Sequence, residues 1–289
     1  MTTLPDYEDD NKQSLPEKIL FPGKSMAAQK LAARVNGSTI LITGATYGIG
    51  AAVAEHLSNY DVTLLLLART TEKLEEFKQR NNHKNCRIEL YSIDLRSETE
   101  IENLLEKWHL QKIGIDIFIS NAGKSIYRGL TNSLDRFTDT QRCAATNYTG
   151  PVQLLLGLLP GMIKRQGQIV NVSAQNVLLP PTAGWSAYQS SKVAFDQWLR
   201  CMEPELRVCN VTVSSIYLPL VRTRMSMVNE KKNKHPAMSK AKASAMILHC
   251  ISKKRRIYQP WWTGVVVFFA ALLPGVWYKL QVNQLKNKH

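Results

Sequence analysis

The chain predicts an α/β fold, a three-layer, doubly wound parallel sheet in a single domain, and three observations carry that prediction. Short β-type runs alternate with helical patterns from about residue 38 to 216, the pattern of successive βαβ units. One of those runs, Val62–Ala68 (VTLLLLA), is continuously apolar, as a strand covered by helices on both faces must be. A glycine-rich turn, Gly44-Ala-Thr-Tyr-Gly-Ile-Gly50, follows the first run and opens a helix. Glycine there permits a tight turn and close backbone approach.

Taken in order, residues 1–24 read as a disordered or loosely packed arm and 25–35 as a short amphipathic helix, so that 1–36 form an N-terminal extension. A strand at 38–43 passes through the glycine turn into a helix ending near 59, and the apolar strand 62–68 follows. A charged helix at 71–81, a strand at 86–93, a helix at 97–110 and a strand at 115–120 repeat the unit. A long helical region spans 133–163, then come a strand at 168–173, a helix at 186–206 and a strand at 210–216. No linker is visible before about residue 219, and 37–259 read as one domain followed by a hydrophobic tail, 260–289.

Composition narrows the function. An apolar content of 44% excludes wholesale disorder. Five scattered cysteines with no CxxC spacing argue against a zinc site and a disulfide framework, and fit a reducing compartment. The acidic, polar start carries no secretory signal, so the expectation is a protein that is not secreted. From Pro219 onward there are fourteen lysines and arginines against one acid, Glu230, so this quarter holds all but one unit of the net +14. Such a surface attracts phosphate-bearing partners. No nucleic-acid recognition motif accompanies the charge, and no nucleic acid is expected.

Two short segments carry chemistry. After a strand and before a helix, the turn Thr43-Gly44-x-x-x-Gly48-x-Gly50 leaves a helix N-terminus facing a pyrophosphate; Thr46, Tyr47 and Ile49 complete it. The second strand ends Leu67-Ala68-Arg69, with a guanidinium where a carboxylate would hold the ribose hydroxyls of NAD(H). That favours the 2′-phosphate of NADP(H). Further on, Tyr188 and Lys192 lie four residues apart and so share one helix face. An ammonium one turn from a phenol is expected to lower its pKa and ease proton transfer.

With the turn, Asn121-Ala122-Gly123, Asn147 and Tyr188/Lys192, the span 37–259 resembles the short-chain dehydrogenase/reductase family. The resemblance implies a Rossmann fold that holds a nicotinamide cofactor and substrate together, often in dimers or tetramers. It implies that Gly44, Gly48 and Gly50 hold the pyrophosphate, that Asp94 and Leu95 face the adenine, and that Asn121, Ala122 and Gly123 support the ribose. Tyr188 would be the proton donor, Lys192 would bind the nicotinamide ribose and tune Tyr188, Asn147 would anchor a relay water, and Thr223 would reach the nicotinamide amide.

Two departures stand out. The family's catalytic serine is usually the second of a Ser-Ser pair closing a strand; this chain reads Val172-Ser173-Ala174. Ala174 takes the usual place. Because neighbouring strand residues face opposite ways, Ser173 serves only if the backbone is shifted; otherwise it makes a strand-end hydrogen bond. The second departure is Pro219-Leu220-Val221-Arg222-Thr223, which resembles the subgroup acting on long-chain acyl-CoA and fatty aldehydes. Residues 224–240 would then be the substrate loop, with Met225 and Met227 as adaptable apolar contacts.

The tail contains Trp261–Tyr278, eighteen residues without a charge but interrupted by Pro274-Gly275 and preceded by Lys253-Lys-Arg-Arg256. Membrane contact is expected, by monotopic insertion or a bent span, with the catalytic domain in the cytoplasm; packing over the substrate mouth is the other option. The sequence thus points to an NADPH-dependent reductase of a lipophilic carbonyl (a fatty aldehyde, an acyl-CoA or a ketoacyl chain). A steroid, retinoid or polyketide alcohol dehydrogenase and a non-catalytic NADP(H)-binding sensor are the alternatives.

Overall fold

The computed structural model describes residues 15–22, 28–81, 85–229 and 236–286. Seven parallel strands form one sheet in the order β3-β2-β1-β4-β5-β6-β7: β1 (Ser38–Thr43), β2 (Val62–Ala68), β3 (Arg87–Ser92), β4 (Ile117–Ser120), β5 (Gln168–Ala174), β6 (Thr212–Leu218) and β7 (Ile257–Tyr258). The alternation of side chains along each strand splits the core in two. Ile40, Ile42, Leu64 and Leu66 face one layer, formed by α2 (Ala28–Val35), α3 (Gly48–Leu57), α4 (Thr71–Asn81) and α10 (Lys240–Lys253). Leu41, Leu65, Leu67 and Phe118 face the other, formed by α5 (Glu98–Leu110), α7 (Gly150–Lys164) and α8 (Ser186–Val208). The doubly wound sheet read from the sequence is the fold observed.

The strand order reverses between β1 and β4, and such a reversal opens a crevice at the carboxyl ends of the strands. The functional residues gather there.

Three elements differ from the sequence expectation. The arm is packed in part: α1 (Leu15–Leu20) places Glu17 in the interior, where it accepts from the Arg222 guanidinium (2.7 Å) and the Ala237 amide (3.1 Å). Residues 1–14 and 23–24 of that arm lie outside the described residues. The long helix 133–163 is broken into α6 (Phe137–Ala144), a π turn (Ala145–Thr149) and α7, with a 3₁₀ turn (Leu130–Asn132) just before it. The π turn holds one extra residue within a continuous helical path, which the periodicity of the sequence does not reveal. Part of the expected substrate loop is helical, α9 (Arg224–Asn229), and Val221 pairs with Met238 across its base. The side chain of Met227 and residues 230–235 lie outside the described residues.

The tail forms two helices, α11 (Thr263–Leu272) and α12 (Pro274–Lys286), bent by 98°. Pro274 disfavours helical geometry at the residue before it, and Leu273 has φ −126° and ψ 56°. Among the described residues no single helix is long and apolar enough to cross a membrane. The basic run Lys253–Arg256 enters β7, which runs parallel to β6. It therefore sits at the opposite end of the sheet from the crevice, with Arg256 ion-paired to Glu203.

Candidate active site

A cavity of ≈ 940 Å³ follows the carboxyl edge of the sheet. At one end is the glycine turn. Gly44 (φ +69°) and Gly48 (φ +61°) hold left-handed backbone that disfavours other residues, and a Cβ on Gly44 would meet Ala122 Cα at 2.8 Å. Thr46, Tyr47, Ile49 and Thr223 line the same end, and α3 begins there without a side-chain cap. Its first amide groups lack intrahelical partners and suit an anion. Gly50 does not line the cavity; it is buried, and a Cβ there would collide with Gly44 O and Asn121 Nδ2. The turn is fastened to β4. Thr43 Oγ1 accepts from the amides of Asn121 (3.0 Å) and Ala122 (3.1 Å), and Asn121 Nδ2 donates to the carbonyls of Thr43 and Gly44.

Along the wall, Arg69, Asp94, Leu95, Ala122 and Gly123 all face the cavity. Arg96 is hydrogen-bonded to both oxygens of Asp94 and holds its carboxyl below the usual carboxylate range, with Arg69 nearby adding to the effect. Among the described residues the Arg69 guanidinium forms no ion pair. A carboxylate paired with Arg96 thus lies near a second cation, Arg69. A nucleotide fits these residues: the turn offers amides and space that any side chain would fill, and Arg69 offers charge for a further phosphate.

At the other end α8 presents Tyr188 and Lys192 to the cavity. Burial pushes the Tyr188 phenol up to about 12, and the nearby Cys143 thiol adds to the rise. The lowering expected from Lys192 is absent. Lys192 Nζ instead donates to Val172 O at 3.3 Å, and its own burial pushes it down to about 8, against the pull of Asp196 one turn further on. Asp196 is itself buried, accepts from Asn171 Nδ2 (3.2 Å) and from the Tyr217 hydroxyl (3.1 Å), and is raised by that burial.

Asn147 lies in the π turn behind this wall rather than on it. Its side chain accepts from the Lys124 amide (2.7 Å) and donates to Lys124 O and Ser191 Oγ, both at 2.9 Å. Ser173 and Ala174 both line the cavity. Ser173 is only 4% exposed, and among the described residues neither its Oγ nor Gln175 Nε2 beside it has a hydrogen-bond partner. Sequence reasoning missed Gln189. Next to Tyr188, its amide nitrogen donates to Asn176 O (2.6 Å) and its oxygen accepts from the Thr182 amide (3.0 Å). It fixes the loop from β5 to α8; its place inside the Tyr-x-x-x-Lys segment was the only signal.

Known proteins resemble this chain over the same span. A fatty acyl-CoA reductase of Acinetobacter baylyi is 38% identical over 221 residues, which cover 76% of this chain and 75% of that one. Dehydrogenase/reductase SDR family member 7B of Bos taurus is 30% identical over 288 residues, 90% of this chain and 86% of that one. In fold, the chain superposes on L-sorbose reductase of Gluconobacter frateurii, solved with NADPH and L-sorbose, with a TM-score of 0.69 at 20% identity over 78% of this chain and 96% of that one. The family model for short chain dehydrogenases matches residues 38–234, and the chain belongs to that family of oxidoreductases.

Proposed function

We propose that the protein is an NADPH-dependent reductase of a lipophilic carbonyl, with Tyr188 as proton donor. The observation that carries this reading is one cavity with an anion-binding glycine turn at one end and the Tyr188/Lys192 pair at the other. The fatty acyl-CoA reductases among its relatives, in Acinetobacter baylyi and Mycobacterium tuberculosis, favour a fatty aldehyde, an acyl-CoA or a ketoacyl chain.

Gly44, Gly48 and the start of α3 would hold the pyrophosphate, Arg69 the 2′-phosphate, Asp94 and Leu95 would flank the adenine, and Thr223 would meet the nicotinamide amide. The bound nicotinamide would supply the hydride. Tyr188 then delivers a proton from its hydroxyl to the carbonyl oxygen. A phenol near 12 is a weak acid at neutral pH, but the developing alkoxide is a base comparable to hydroxide, whose conjugate acid has a pKa of about 15.7. The transfer is therefore downhill, and burial keeps the phenol protonated until it is needed. Lys192, still largely charged at neutral pH with a pKa of about 8, lines the same cavity and would hold the nicotinamide ribose. Ser173 and Gln175 are the available donors to orient the carbonyl, and Asn147 holds the Lys124 and Ser191 backing in place.

Chain length tests the substrate class. NADPH oxidation is expected to rise from short ketones to long-chain aldehydes and acyl-CoA, and Arg69→Asp is expected to move preference toward NADH. A flat panel would remove the lipophilic reading, and unchanged selectivity would remove Arg69 from the 2′-phosphate. Ala174 in the usual serine position favours a second reading, a cofactor-binding module without turnover; tight NADPH binding with no oxidation of any panel member would select it.

A further inference from the structure

Two helices take no part in the chemistry above and present apolar faces to the outside. α11 exposes Val265, Phe268, Phe269 and Leu272, which at i, i+3, i+4 and i+7 form one stripe. Phe268 and Phe269 are 60% and 56% exposed, where a helix facing water carries polar residues. Beyond the bend, Val276 and Leu280 continue the apolar surface. A different face of α12 touches the catalytic domain: Trp277 Nε1 and Gln281 Nε2 donate to Pro181 O, and Gln281 Oε1 accepts from the Ala183 amide at 2.8 Å. Between those two bonded residues lies Thr182, which lines the active-site cavity with Leu179 and Trp185.

The geometry selects what covers this surface. With ten and thirteen residues, the arms reach about 15 and 20 Å, short of the ~30 Å hydrocarbon core, and the 98° bend excludes a straight span. An interfacial helix needs to sink only about 5–10 Å. No acidic residue follows Glu230, while Lys279 and Lys286 lie on α12 beside Trp277 and Tyr278. Cations and interfacial aromatics together match an anionic headgroup layer.

We propose that the bent α11–α12 pair lies within one leaflet of an anionic bilayer, and that its bonds to Pro181 and Ala183 hold the cavity mouth against that leaflet. A carbonyl compound with an acyl chain then passes from lipid to Tyr188 without crossing water. The docking stands on the tail alone; the portal rests on the lipophilic-carbonyl reading.

The test is flotation of the full-length protein with phosphatidylcholine vesicles, with and without phosphatidylserine, for wild type and Phe268→Glu/Phe269→Glu. Wild type is expected to float with the phosphatidylserine vesicles. The double variant is expected to stay behind and to keep its turnover of a short, water-soluble aldehyde. It should lose at least tenfold in turnover of a long-chain aldehyde dissolved in the vesicles. A wild type that does not float, or a double variant that floats equally well, overturns the docking. So does sedimentation showing that the double substitution splits a dimer, because a second copy would then cover the stripe. Equal loss on both aldehydes overturns the portal. A wild type that floats but reduces no aldehyde upholds the docking and overturns the substrate reading.

Discussion

Around the glycine turn the cavity wall is fastened by Thr43 and Asn121, whose side chains tie the ends of β1 and β4 together with five hydrogen bonds of 3.0–3.4 Å. Around Tyr188 the wall is held by Gln189 and Asn147, yet among the described residues Ser173 Oγ, Gln175 Nε2 and Asn176 Oδ1 have no hydrogen-bond partner. Buried polar atoms normally find hydrogen bonds, and each exception calls for an explanation. The first half is set by backbone requirements that hold for any nucleotide. The second keeps polar groups uncommitted where, on the proposed function, the substrate's carbonyl would be oriented.

The comparison can be broken from the rigid side first. Gly44→Ala forces a Cβ to within 2.8 Å of Ala122 Cα from a left-handed backbone, which alone costs an L-residue about 1–2 kcal/mol. NADPH affinity, followed by fluorescence titration, is expected to fall at least tenfold, the equivalent of about 1.4 kcal/mol, and the melting temperature should drop with it. Unchanged binding would mean that the turn is not the phosphate site. On the uncommitted side, Ser173→Ala removes a buried hydroxyl without a partner. Stability is expected to hold or rise, while turnover falls at least tenfold, about 1.4 kcal/mol in the barrier. Equal turnover would mean that Ala174 marks a true loss of the serine's role.

A smaller effect probes the charge behind Lys192. Lys192 titrates near 8, so kcat should decline as pH rises through that value and the ammonium is lost. Asp196 raises Lys192, and Asp196→Asn is expected to move this basic limb to lower pH with little change at pH 6. Tyr217 and Arg200 also face Asp196, and a limb that does not move would assign it to one of them or to a different group. Stability carries the complementary sign. Burial lowers Lys192 in the folded protein from its ordinary 10.5 to about 8, so its burial cost is present below about pH 8 and is relieved as pH rises toward 10.5.

The same division explains what the sequence disclosed. The strands, the glycine turn and the Tyr188/Lys192 face follow from local periodicity and from residues that few other conformations accept. Long-range contacts left no such trace. Glu17 meets Arg222 across 205 positions, so α1 read as a loose arm. The π turn that carries Asn147 shares the apolar spacing of an ordinary helix. α10 packs on α2 and α3, yet the sequence pattern assigns no element to it within the basic C-terminal quarter. The phenol was expected low because the spacing shows Lys192 one turn away; it is high because burial, which spacing does not show, raises it, and the Lys192 ammonium is turned to Val172 O.

The most direct measurement is the rate of NADPH oxidation with a long-chain aldehyde by wild type and Tyr188→Phe, with NADPH affinity measured on both. The account predicts nearly equal affinity and a rate about 10²–10⁴-fold lower in the variant, the usual contribution of a positioned acid. Comparable rates in the two proteins would contradict Tyr188 as the proton donor and, with it, the assignment of this cavity as the reductase site.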